Sequence, residues 1–127
     1  MILIDTSAWI AFFRDRGPLA SRVDAAIEAD EAALCGPVVT ELRRGIVSAA
    51  ERRRVLPLLL SCHALPEPVD LWVAAGDLGS LLRRKGVSVK TLDLLIAVYA
   101  LHSGAAVLTS DADFLQMQRA GVPLALA

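Results

Sequence analysis

The strongest constraint on this chain is an alternation of short, uniformly apolar runs with longer stretches of helical period. Met1–Ile4, Ala32–Cys35 and Ala106–Leu108 are too brief for core helices, and each gives way to capping or turn residues. That alternation predicts an α/β domain whose strands form a mostly parallel sheet. A further run, Cys62–Leu65, is the candidate for another strand, and Pro123–Ala125 for one at the sheet edge.

The helices follow from caps and breakers. Ser7 reads as the N-cap of a helix that buries Trp9, Ile10 and Phe13, and a second helix covers about Leu19–Ala29 after the Gly17-Pro18 break. Gly36-Pro37 opens a third helix, with proline at the first position, where its missing N–H costs nothing, and Glu41 lies one turn inside it. Helical period resumes over Ser48–Leu60, bent at Pro57, and again over Val69–Lys85. In the latter, Leu71, Trp72, Ala75, Leu78 and Leu82 form a stripe for core or interface, and Gly86 stops the helix. Thr91 caps a helix that runs to about His102 and ends at Gly104, and Asp113–Ala120 is the last.

With 127 residues the chain has the size of one domain, 1–127, and with 55% hydrophobic and 21% charged residues it is not intrinsically disordered. A mean hydropathy of +0.53 exceeds what a lone monomer wants on its surface, so a partner or self-association is expected. Only 5% of residues are aromatic, which argues against a base-stacking platform. The formal net charge of −1 gives no global basic field, although Arg52–Arg54 and Arg83–Lys85 are local basic clusters. Cys35 and Cys62 lack zinc spacing and read as two buried thiols in a reducing compartment. Asp5 interrupts the first apolar run and arginines follow it, the reverse of a secretion signal, and no run is long enough to span a bilayer; a cytoplasmic location is expected.

Four acids fall where an open parallel sheet keeps its chemistry, outside the carboxyl ends of the strands. Asp5 directly follows the first strand, Glu41 and Asp93 lie in early helical turns, and Asp111 lies just beyond Ala106–Leu108, with Asp113 in the same loop. Each has a local explanation: a turn at Asp5, dipole complementation by Asp93, a capping box from Ser110 to Asp113. Glu41 resists one, because Val38, Val39, Leu42 and Ile46 put it beside an apolar stripe. Brought within ~4 Å, two ionised carboxylates repel by about 4 kcal/mol at an effective dielectric of about 20, so a cluster demands a counter-charge. No Lys or Arg adjoins Asp5 or Asp111 in sequence, and a metal ion is the simpler answer. An all-oxygen donor set selects a hard cation, Mg²⁺ or Mn²⁺, and such sites suit phosphodiester hydrolysis.

The stretches Ile2–Ser7 (ILIDTS), Thr40–Gly45 (TELRRG), Asp93–Ala97 (DLLIA) and Thr109–Phe114 (TSDADF) resemble, in order and over essentially the whole chain, the motifs of PIN-domain ribonucleases, closest to VapC-type toxins of bacterial toxin–antitoxin pairs. The resemblance implies a three-layer α/β/α fold with a central parallel sheet, a Mg²⁺- or Mn²⁺-dependent endoribonuclease, a homodimer, and inhibition by a cognate antitoxin. It implies that Asp5, Glu41, Asp93 and Asp111 are the catalytic acids. Asp5, Asp93, Asp111 and Asp113 would serve the metal, with Glu41 orienting or deprotonating the attacking water. Ser7 and Thr109 match hydroxyl positions beside the quartet, where helix capping and a strand-end hydrogen bond account for them equally well.

Two other classes place acids similarly. A haloacid-dehalogenase-like phosphohydrolase needs an Asp two residues after the first, where this chain has Ser7. A non-catalytic metal-binding regulatory or scaffold domain of the response-regulator kind expects paired acids at the first strand and a Lys after the last, and neither is present.

Overall fold

The computed structural model describes residues 1–127 and is an α/β/α sandwich. In chain order the elements are β1 (Ile2–Ile4), α1 (Thr6–Phe13), α2 (Gly17–Glu28), β2 (Ala32–Leu34), α3 (Gly36–Gly45), α4 (Ala49–Ser61), β3 (His63–Ala64), α5 (Leu71–Arg84), α6 (Thr91–Ser103), β4 (Ala106–Leu108) and α7 (Ala112–Arg119). The sheet runs β3-β2-β1-β4 with every pair parallel. Ile2 pairs with Ala32 on one side and Ala106 on the other. No helix is long and apolar enough to cross a membrane.

This order makes β1 the switch point: the chain leaves it toward β2 on one side and returns to its other side as β4. Crevices at such points, outside the carboxyl ends of the strands, are where open α/β sheets bind ligands. The two strand ends are tied together, because the Asp5 N–H donates to Leu108 O at 3.0 Å.

Leu3 and Ile4 of β1 and all of β2 are buried, as strands covered on both faces must be. The core is contiguous from these strands through Trp9, Val23, Val38, Leu82, Phe114 and Met117. Residues Asp93–Ala100 of α6 are all buried, so this helix is enclosed on every side and Asp93 is the only charged group in its buried run. It packs closely on α5: a Cβ added at Gly79 would lie 2.8 Å from Leu94 Cδ1, so only glycine permits this approach unchanged.

Several local expectations shift. Ser7 lies inside α1, whose N-cap is Asp5, and the N-cap of α6 is Lys90 rather than Thr91. In both cases the residue after the strand or loop, already extended, takes the cap, and the hydroxyl residue falls in the first turn. Asp111 caps α7 by accepting the Asp113 N–H, in place of a box built on Ser110. The final edge pairing sits at Leu126, bridged to Val107, rather than over Pro123–Ala125. Proline lacks the N–H a ladder needs, and the bonds that form are Val107 N–H to Ala125 O and Ala127 N–H to Val107 O. Of the stripe expected to serve core or interface, Leu71, Ala75 and Leu82 are buried, whereas Trp72 is 71% exposed. Ile10 is also exposed, and Cys62 is only half-buried.

Candidate metal centre at the strand ends

The acids expected from the sequence meet. Asp5, Glu41, Asp93 and Asp111 line one open cleft of about 420 Å³ together with Thr6, Ser7 and Lys90. They arrive on the end of β1, on α3, on the first turn of α6 and on the end of β4, so parallel strand ends and two helix starts converge on one spot.

Asp5 is buried, and one of its two carboxylate oxygens is held twice over. The hydroxyls of Ser7 and Thr109 each donate to its Oδ2 at 2.8 Å. Each hydroxyl in turn accepts a backbone N–H of the following loop, Ser7 Oγ from Ser110 at 3.0 Å and Thr109 Oγ1 from Asp111 at 2.9 Å. A hydroxyl has one proton to give and lone pairs to receive, and both do so here. The result stitches the β1 end to the β4 loop, with the Asp5 carboxylate as the common acceptor. Glu41 is fixed separately: Thr6 Oγ1 donates to its Oε1 at 2.9 Å, leaving Oε2 without a protein donor.

Asp93, Asp111 and Asp113 each offer a carboxylate oxygen, all within 4.8 Å of one another. Asp93 is 5% exposed, and its Oδ2 is buried without a hydrogen-bond partner. Burial pushes this carboxyl up to about 8, reinforced by the hydrogen-bonding Asp113 carboxyl and the negative charge of Asp111, against the pull of Lys90. Asp111 goes the other way. Partial burial opposes its ionisation, but the Asp113 N–H at 3.0 Å and the Lys90 ammonium at 2.9 Å overcome that and hold it below the ordinary carboxylate range.

These residues fit a divalent cation. The buried Asp93 Oδ2 accepts no hydrogen bond, has only the Lys90 ammonium 3.5 Å away, and stands beside two more carboxylates, which is costly without further positive charge. A donor set of carboxylate oxygens alone selects a hard ion. Asp5 is held by two hydroxyls at the edge of that trio, in the same cleft.

Lys90 is the neighbour of the acids that the sequence alone left unplaced among Arg14, Arg16, Arg43, Arg44, Lys85 and Lys90. Its Nζ lies 2.9 Å from Asp111, 3.5 Å from Asp93 and 4.0 Å from Asp113. Half of that was available in the sequence, since Lys90 stands three residues before Asp93 at a helix start, where i,i+3 side chains meet. The Asp111 contact, across 21 residues, was not.

Beside the cleft, and sharing Thr6, Ile10 and Glu41 with it, is a second cavity of about 380 Å³ walled by Phe13, Arg14 and Arg54. The Arg54 guanidinium stands 5.5 Å over the Phe13 ring. Of the basic residues, then, Lys90 lines the acidic groove, and Arg14 and Arg54 line the cavity next to it. The thiols take no part. Burial, with the charges of Asp5 and Glu41 adding to it, pushes Cys35 up to about 12, and burial raises Cys62 also.

The PIN domain family profile matches residues 2–120. A VapC ribonuclease of Mycobacterium bovis (Mb1587) and ribonuclease VapC11 of Mycobacterium tuberculosis are each 34% identical to the chain over 120 residues, covering 90% of it and 89% of their own length. The crystal structure of VapBC2 from Rickettsia felis, bound to a DNA fragment of its promoter, superposes with a TM-score of 0.78 at 20% identity, covering 100% of this chain and 98% of that one.

Proposed function

The chain belongs to the PIN-domain family, and from that premise we propose that it is a metal-dependent endoribonuclease, the cytoplasmic toxin of a toxin–antitoxin pair. The observation that carries this reading is the cleft itself: Asp5, Glu41, Asp93 and Asp111, from four separate stretches, line one groove with a buried oxygen on Asp93 that accepts no hydrogen bond. The family's nucleases use divalent ions, and we assign Mg²⁺, with Mn²⁺ able to replace it, to Asp93, Asp111 and Asp113, with Asp5 beside them. When bound, the ion supplies Lewis acidity and neutralises charge on the scissile phosphodiester and its leaving oxygen.

The remaining work falls to the chain. Glu41, with one oxygen fixed by Thr6 and the other open, orients a water and takes its proton. Asp5 holds the Ser7–Thr109 stitch and so sets the position of the Asp111 loop. Arg14 and Arg54 offer guanidinium groups to backbone phosphates of an RNA strand leaving the cleft, which suits a chain with few aromatic residues to stack on bases. The relatives named ribonucleases support RNA as substrate, and a solved member of the VapBC family of toxin–antitoxin systems with a like fold, VapBC-5 of Mycobacterium tuberculosis, supports a protein antitoxin.

The test is cleavage of labelled single-stranded RNA by the purified protein with Mg²⁺ and with EDTA. Activity in Mg²⁺ alone, leaving 5′-phosphate and 3′-hydroxyl ends, is expected of water as nucleophile; ends bearing a 2′,3′-cyclic phosphate would overturn it. Glu41→Gln should lower kcat at least ~100-fold, the range lost with a general base, while Mn²⁺ binding persists. A folded, metal-loaded Glu41→Gln enzyme of undiminished rate would remove Glu41 from its assigned role.

A further inference from the structure

We propose that Lys90 is a resident cation of the carboxylate site, holding Asp93, Asp111 and Asp113 together in the metal-free protein and giving up its place when a divalent ion enters. The inference rests on the reading of the cleft as a metal site, and adds to it a residue that sets which ions the site accepts.

Geometry separates Lys90 from an ordinary surface lysine. Its Nζ lies within 4.0 Å of oxygens from all three carboxylates. Those are the same carboxylates that converge within 4.8 Å as candidate ligands, so an ammonium among them and a metal ion among them exclude one another. The root of the side chain is anchored to the cluster as well: Lys90 is the N-cap residue of α6, and its backbone N–H donates to Asp113 Oδ2 at 3.4 Å. The chain has one other lysine, Lys85, whose Nζ donates to Ala120 O at 2.6 Å, far from this chemistry in kind.

Leaving is easy for Lys90. Its side chain is 68% exposed, so the ammonium recovers its hydration as soon as it swings out, and exposed ion pairs are weak. The anchored backbone keeps it at the rim. A monovalent ion would replace one unit charge with another and gain little, whereas a divalent ion doubles the charge facing three carboxylates. Lys90 thereby acts as a threshold against weakly binding cations.

The experiment uses the full chain. Mn²⁺ affinity is measured by titration calorimetry on wild type, Lys90→Met and Lys90→Arg, with Tm in EDTA recorded for each. Removing the competitor should tighten Mn²⁺ binding roughly three- to tenfold in Lys90→Met and lower its Tm in EDTA, while Lys90→Arg, which keeps the charge, stays near wild type on both. In parallel, brief acetylation followed by mass spectrometry reads the reactivity of Lys90 against Lys85 as internal standard. The ratio should rise several-fold when saturating Mg²⁺ replaces EDTA. Mn²⁺ affinity unchanged or weakened in Lys90→Met, an arginine variant that behaves like methionine, or an acetylation ratio indifferent to Mg²⁺ overturns the proposal. Failure of wild type to bind Mn²⁺ at all removes the nuclease reading and this inference together, whereas Mn²⁺ binding indifferent to Lys90 removes only the inference.

Discussion

Asp93 carries the electrostatic cost of the site, and its sign can be followed. In the folded chain its carboxyl is pushed up to about 8, from an ordinary value of 3.8. The fold therefore prefers the protonated form: this group's contribution to stability is fully present below about 4 and is lost as pH rises through about 8. Asp111, held low, contributes the opposite trend, but only in the acidic range below the ordinary carboxylate value. Across neutral pH, Asp93 dominates. In EDTA, the urea midpoint should fall as pH rises from about 5 to about 8. Asp93→Asn should flatten that dependence, raise metal-free stability at about pH 8, and abolish Mn²⁺ binding; a wild-type midpoint that climbs over the same interval would contradict the assignment. Asp93 was legible in the sequence because it is the one acid entering an apolar helix. The Lys90–Asp111 contact was not, because it exists only once the β4 loop folds against the start of α6.

Element boundaries show what local chemistry decides and what it leaves to the fold. Gly36-Pro37 and Gly104 mark α3 and α6 where expected, since proline fixes φ at a helix start and Gly104 takes a left-handed φ of +73° as the C-cap. Space is not the issue at Gly104: a Cβ there meets nothing within 4 Å. Gly104→Ala should therefore cost only backbone strain, about 1 kcal/mol by chemical denaturation, and leave RNA cleavage unchanged when folded. Caps proved harder to read than breakers. Ser7 has the chemistry of an N-cap, yet the strand ends at Ile4 and Asp5 takes that place, which frees the Ser7 hydroxyl to hold Asp5 instead. The edge pairing at Leu126 depends on which backbone groups of Val107 remain free beyond β4, and that is a property of the sheet rather than of the segment.

At the scale of the whole molecule, the mean hydropathy of +0.53 points to an uncovered surface, and the fold locates it. Val69, Trp72 and Val73 stand at i, i+3, i+4 around the start of α5 and are 97%, 71% and 66% exposed. Spacing alone left Trp72 open between core and interface, because a helix that packs on one side and associates on another shows two overlapping apolar faces. Such a cluster, left in water, forfeits the burial of a large aromatic surface, which association recovers. Val69 lies beside Leu101 and His102 at the C-terminal end of α6, whereas Asp93 stands in the first turn of that helix, so pairing through this end leaves the acids uncovered. The expected state is a homodimer by sedimentation equilibrium at micromolar concentration. Trp72→Asp should shift it to monomer without loss of secondary structure, since the residue contributes little to the monomer core. Fluorescence supplies a second readout: of the two tryptophans, Trp9 is fully buried and Trp72 is not, so dilution through the dissociation range should red-shift only the Trp72 component. A wild-type chain that sediments as a monomer, or a Trp72→Asp variant that stays dimeric, would overturn this assignment of the face.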